Sequence, residues 1–168
     1  NSDLGIAVDP DVDRLALVCE DGSMFGEEYT LVTVADYILS KNPGSTVSNL
    51  SSTRALRDVT NHYYCEYQAS SVGEVNVVNK MKEINAVIGG EGNGGVIYPS
   101  SHYGRDALIG IALFLSQLAE KKLSAKKIRD SYPNYVISKN KIVLPEHIEL
   151  DTVLLEIQKT SISKIYQV

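Results

Sequence analysis

The chain switches repeatedly between short apolar runs and longer stretches with a helical repeat. Residues 5–8 (GIAV) and 15–19 (LALVC) read as two strands joined by an acidic segment, and Asp21-Gly22 marks a turn. Residues 28–40 put Leu31, Val34, Ala35 and Ile38 on one helical face, and Asn42-Pro43-Gly44 stops that helix. A strand over 46–50, a helix over 54–62 and a strand over 65–69 are predicted next. Val72-Gly73-Glu74 then opens a short helix ending near Glu83. An apolar strand over 86–89 runs into the glycine-rich loop GGEGNGG, residues 89–95, and 96–98 returns as a strand edge. The strongest helical signal covers 106–120, with Asp106 at its N-terminus and Leu108, Ile111, Ala112, Leu115 and Leu118 predicted inward. Ser124 is placed to cap a small helix over 125–130 that ends before Pro133.

Short strands alternating with helices predict an α/β fold, a mixed and mostly parallel sheet flanked by helices. The pattern changes after Tyr135. Residues 139–144 look like a strand and 151–159 like a helix, but nothing after them completes a core. Residues 134–168 are therefore expected to be a linker or the start of a further domain.

Charge and length narrow the partners. A net charge of −5 offers no basic stripe for a phosphate backbone, so no nucleic-acid partner is expected. The cluster Lys121, Lys122, Lys126, Lys127 and Arg129 reads as a solvated face. The longest apolar run, 107–115, is broken by Gly110 and too short to span a bilayer, so no membrane partner is expected either. The 168 residues allow one ordinary domain or one with pieces of its neighbours. With no signal peptide and no initial Met, the chain is expected to be an internal piece of a longer protein. Cys19 and Cys65 lack metal-ligand spacing and suit a reducing, cytoplasmic setting as small buried apolar residues.

The acidic segment carries the chemistry. In an extended loop, Asp9, Asp11 and Asp13 project to the same side and repel one another unless a cation neutralises them. Hard divalent ions with oxygen ligands are the natural partners. One alternative is a non-catalytic Ca²⁺-binding module over Asp9–Glu20, since Glu20 stands where an EF-hand supplies its bidentate ligand. Arg14 at the position that loop reserves for glycine, and strands on both flanks, oppose it. An Mg²⁺ site serving a phosphate-bearing substrate fits better. Arg14 reads either as a donor fork for that phosphate or as a surface ion pair with an aspartate.

DPDVDR resembles the metal loop of the α-D-phosphohexomutases, Asp-x-Asp-x-Asp-Arg, and GGEGNGG is similar to that family's sugar-binding loop, Gly-Glu-x-Ser-Gly-His. NLSSTRAL and VGEVNVV lie between them, where the family has its other substrate-facing turns. The resemblance implies four domains around a central cleft, with this chain holding the end of the second (1–25), the third, sugar-binding domain (26–133) and the beginning of the fourth (134–168). The phosphoserine and the phosphate-clamping loop would lie in the missing parts, so this piece alone is expected to be inactive.

By the same resemblance the parent is a phosphoglucomutase/phosphomannomutase that interconverts hexose 1-phosphate and hexose 6-phosphate. It would work through a phosphoserine and a bisphosphorylated intermediate, with Mg²⁺ held by Asp9, Asp11 and Asp13. Arg14 would sit beside the transferred phosphoryl group. Glu91 would accept hydrogen bonds from two sugar hydroxyls, with Asn93, Gly94, Glu74 and Ser51 also facing the substrate. The sequence departs from the pattern at four places: Asn93 replaces Ser, Gly95 replaces His, Glu74 replaces His and Ser51 replaces Lys. His102 is a candidate to supply the lost contact, and Arg105 is expected to face the cleft. Phosphoglucosamine mutase is the alternative activity within the family.

Overall fold

A two-stranded antiparallel ribbon, β1 (Leu4–Val8) and β2 (Leu15–Cys19), leads the chain into its main sheet. Strand alternation turns Leu15, Leu17 and Cys19 into the core, while Ile6 and Val8 of β1 remain exposed. The computed structural model describes residues 2–138, 141, 143, 145 and 148–165, grouped into two units, 1–136 and 137–168.

In the first unit α1 (Glu27–Lys41) precedes β3 (Thr46–Asn49), α2 (Ala55–His62) and β4 (Tyr67–Ser70). Then come α3 (Glu74–Glu83), the hairpin β5 (Ile88–Glu91) and β6 (Gly95–Ile97), α4 (Ala107–Lys121) and α5 (Ala125–Asp130). The sheet order is β4-β3-β5-β6; β3 is parallel to both β4 and β5, and β6 closes one edge antiparallel to β5. This is the mixed, mostly parallel sheet the alternation predicts.

Both faces of the sheet are covered, as parallel strands require. On one face Val47 and Ile97 pack with Val77 and Met81 of α3. On the other, Ile88 and Val96 join the larger core, which includes Leu31 and Val34 of α1, Leu56 of α2 and Phe114 of α4. Phe25 and Phe114 meet edge to face there, their centroids 5.2 Å apart.

Two strands start later than their apolar runs suggest, for the same reason. Tyr64 takes a left-handed conformation (φ +57°) and Cys65 donates its N–H to Thr60 O at 3.1 Å, so the end of α2 consumes the start of the expected strand. Asn85 (φ +52°) does likewise after α3, where the Ala86 amide bonds Met81 O at 2.8 Å. The second shift matters for function, because β5 then runs on through Glu91.

The buried face of α4 also differs from the predicted one. Ala107, Gly110, Phe114 and Gln117 are buried, whereas Leu108, Ala112 and Leu115 are exposed. Gly110 lets the helix approach the sheet closely: a Cβ there would lie 3.1 Å from Leu15 Cδ2. Gln117, which a hydrophobic pattern counts as outward, belongs to a buried polar network. Its Oε1 accepts from Thr33 Oγ1 at 2.5 Å, and its Nε2 reaches Asp36 at 3.3 Å. The second unit, taken by itself, contains α6 (Leu150–Ile165), longer than the helix predicted over 151–159. Most of the strand predicted over 139–144 lies outside the described residues.

Asp36 is the hub of that network. It accepts from Lys121 Nζ at 2.7 Å, Tyr63 OH at 2.8 Å and Tyr132 OH at 2.9 Å, tying α1 to α2, α4 and α5. Burial favours its neutral form, but these donors outweigh burial and hold the carboxyl below its usual value. A carboxyl depressed in the folded state adds stability that is complete above its unfolded pKa, about 3.9, and is lost as pH falls through the folded value. Asp36→Asn is expected to cost about 1–3 kcal/mol at pH 7. Urea unfolding should show most of that difference gone once the pH is taken well below about 3.9.

Candidate functional site

The acidic segment is a tight turn, not the extended loop that alternation suggests. Val12 N bonds Asp9 O at 3.0 Å, and Val12 itself is left-handed (φ +56°), an unfavourable place for a β-branched residue. Three bonds hold it there. Asp9 Oδ1 accepts from Asp13 N at 3.2 Å and Arg14 N at 3.1 Å, and Val12 O accepts from the Ala107 amide at 3.1 Å. The turn brings one carboxylate oxygen each of Asp9, Asp11 and Asp13 within 4.8 Å of one another.

Partial desolvation opposes ionisation of Asp9, but the Arg14 and Asp13 amides outweigh it and lower its pKa. Burial pushes the Asp13 carboxyl up; Arg105 counters this, while Asp9 and Asp11 add to it. Asp13 Oδ1 is buried with no hydrogen-bond partner. Three clustered carboxylates, one with an unsatisfied buried oxygen, make a donor set that fits a hard cation. Glu20 does not join them. Its carboxylate accepts the Lys126 N–H at 3.1 Å at the start of α5, which removes the twelfth ligand from the calcium-loop alternative. Arg14 is about half exposed, with Nε 3.5 Å from Asp9 Oδ2 and 3.6 Å from Asp13 Oδ1.

The glycine-rich loop is a hairpin. Glu91 is the last residue of β5 and only 5% exposed, so its carboxylate is held by the fold and does not dangle beyond a strand. Oε1 accepts from Asn49 Nδ2 at 2.7 Å and the Gly73 amide at 3.3 Å; Oε2 accepts from Arg105 Nη1 at 2.8 Å. Gly90 is required because a Cβ would lie 2.0 Å from Gly95 O across the hairpin. Asn93 Oδ1 caps the turn by accepting the Gly95 amide at 3.2 Å. Ser51 follows β3, its amide bound to Asn49 Oδ1 at 3.0 Å.

The hairpin and the acidic turn meet directly. Leu15 N donates to Gly94 O at 3.1 Å, and a cavity of about 300 Å³ opens between them, lined by Val8, Asp9, Arg14, Leu15, Glu27 and Asn93. Glu27, in the first turn of α1, is a wall residue the sequence reading missed. His102 does not supply a contact to Glu91. It bonds Asp106 Oδ2 at 2.9 Å, half exposed, while Asp106 Oδ1 caps α4 through the Ile109 amide at 3.0 Å. Arg105 is the residue that reaches the carboxylates. Its guanidinium contacts Asp13 and Glu91 and lies 3.3 Å from Glu74 Oε2. The sequence offered one signal for this: a cation placed beside the cap of the helix that follows the hairpin.

Residues 26–135 match the family model of phosphoglucomutase/phosphomannomutase, alpha/beta/alpha domain III. The chain belongs to this family. It is 29% identical, over 95% of its length, to a phosphoglucosamine/phosphogalactosamine mutase of Sulfurisphaera tokodaii. It is 31% identical, over 89% of its length, to a phosphoglucomutase/phosphomannomutase of Thermococcus kodakarensis. It spans only about a third of those relatives, 36% and 32% respectively. A solved phosphoglucomutase/phosphomannomutase family protein from Burkholderia thailandensis superposes on 80% of the chain and 30% of its own, with TM-score 0.69 and 27% identity. Among the described residues no helix is long and apolar enough to cross a membrane.

The junction of the two loops depends on Gly94, which has φ +85° and would place a Cβ 2.3 Å from Leu15 O. Gly22 has a similar φ of +82° but open space around it. Chemical denaturation should therefore find Gly22→Ala costing about 1–2 kcal/mol, the backbone term alone, and Gly94→Ala clearly more, about 3 kcal/mol or above.

Proposed function

We propose that the full-length parent is a phosphohexomutase that moves a phosphoryl group between the 1- and 6-positions of a hexose phosphate in the cytoplasm. It would work through a phosphoserine and a bisphosphorylated sugar, both requiring domains outside this chain. Residues 1–25 are assigned to the end of the second domain, 26–133 to the third and 134–168 to the start of the fourth. The observation that carries the reading is the junction itself: the carboxylate turn and the Glu91 hairpin share one cavity, joined by the Leu15–Gly94 bond.

Asp9, Asp11 and Asp13 would hold Mg²⁺. When bound, the ion supplies a positive charge that stabilises negative charge building on phosphoryl oxygens. Arg14, whose guanidinium is half exposed at the cavity wall, is assigned to bind the phosphoryl group. Glu91 is assigned to sugar hydroxyls: its carboxylate is already oriented by Asn49 and Gly73, so little ordering remains when a ligand arrives. Asn93, Gly94, Glu74 and Ser51 complete the sugar-facing rim. The names of the relatives support glucose, mannose and glucosamine phosphates as the substrates to test.

The test is mutase turnover by the full-length protein in Mg²⁺ with each of those sugars. Asp11 is exposed, so Asp11→Asn should preserve the fold while lowering kcat at least about 100-fold, equivalent to about 2.7 kcal/mol. Glu91→Gln should act mainly on KM, raising it about tenfold. No turnover of any of the three sugars by a folded wild-type protein overturns the reading.

A further inference from the structure

Arg105 is the cation shared by three acids from three different elements. Its Nη2 pairs with Asp13 of the metal turn, its Nη1 with Glu91 Oε2 of β5 at 2.8 Å, and its Nε lies 3.3 Å from Glu74 Oε2 of α3. Its backbone is fixed as well: the Arg105 amide donates to Glu74 Oε1 at 3.0 Å, and Arg105 bridges Ile97 at the end of β6. The side chain is 14% exposed. Its stem crosses Gly95, where a Cβ would come within 2.5 Å of Arg105 Cδ. Gly95 needs no positive φ, so the missing side chain at this position is explained by the arginine that fills its space.

Three carboxylates around one guanidinium make a poor device for stability, because buried ion pairs barely repay their desolvation even when balanced. The arrangement makes sense as geometry. A planar fork can hold several acids at fixed angles, which an ammonium cannot. We infer that Arg105 is a positioning residue that locks Asp13 of the metal turn and Glu91 of the sugar hairpin into one constellation, and that Gly95 is glycine to admit it. This rests on the reading of those two loops given above. With Oδ2 of Asp13 engaged by Arg105, Oδ1 is left free to serve a cation. With Oε2 of Glu91 engaged, the carboxylate cannot rotate away from the cavity. Metal and sugar affinities are thus set by the same side chain.

The test uses the full-length parent and binding, not turnover. Calorimetry would measure the affinities for Mn²⁺ and for a hexose 6-phosphate in wild type, Arg105→Lys, Gly95→Ala, Arg105→Ala and Gly95→Ala/Arg105→Ala. Circular dichroism would verify the fold. Arg105→Lys keeps the charge and loses the fork, so a direct charge effect on the metal is held constant. Both affinities should fall about tenfold in Arg105→Lys and also in Gly95→Ala. Gly95→Ala should add nothing in the Arg105→Ala background, as for two residues acting through one contact. Unchanged affinities in a folded Arg105→Lys, or a fall in only one of them, overturn the inference while the mutase reading stands. Additive effects in the double variant overturn the part assigned to Gly95. A wild-type protein that binds neither ligand removes the mutase reading, and this inference with it.

Discussion

One backbone hydrogen bond decides where the chemistry of this chain can happen. The Leu15 amide, first residue of β2, donates to the carbonyl of Gly94 in the turn of the β5–β6 hairpin at 3.1 Å. Such a bond is worth only about 1 kcal/mol net. Its importance is one of register. Leu15 is also a core residue, buried against Gly110 of α4, so the bond fixes the acidic turn just before it relative to the hairpin and to the helix at once. The Ala107 amide on Val12 O adds a second tie from the start of α4. The approach is close enough that only glycine is accommodated at 94.

Core packing and site geometry are therefore the same problem here. Apolar burial supplies the bulk of the stability, and the polar residues decide which arrangement is adopted. Asp36, Gln117, Thr33 and Tyr132 set the relation of α1 to α4 and α5 from within the core. Glu91, Asn49, Arg105 and Glu74 do the same at the carboxyl ends of β3 and β5, where open α/β sheets place their ligands. The two networks lie at different ends of the same helices, so α4 carries a structural hub near one end and a positioning arginine just before the other.

Much of this was legible in the chain. Strand and helix periods, with their Gly, Pro and Asn stops, gave the order of elements and the parallel sheet, and the two loops pointed to the family. What failed did so for identifiable reasons. Left-handed Tyr64 and Asn85 shortened the strands after them, because an asparagine or tyrosine in that conformation carries no glycine signal. The face of α4 was misassigned because a buried glutamine and glycine count as polar or neutral in any hydrophobic pattern. At the site, spacing identified the aspartates but not how they converge, which depends on a strained Val12. Arg105 could be suspected from its place beside a helix cap. Its three partners come from residues 13, 74 and 91, and only the tertiary fold brings those together.

The central claim is that the carboxylate turn and the Glu91 hairpin serve one ligand. The most direct measurement is a crystal structure of the full-length parent soaked with Mn²⁺ and a hexose phosphate, with the metal located by anomalous scattering. The account predicts one Mn²⁺ among the carboxylates of Asp9, Asp11 and Asp13, and sugar hydroxyls within hydrogen-bonding distance of Glu91 in the adjoining cavity. A metal bound elsewhere, or a sugar phosphate seated away from that cavity while the metal occupies the turn, would contradict it.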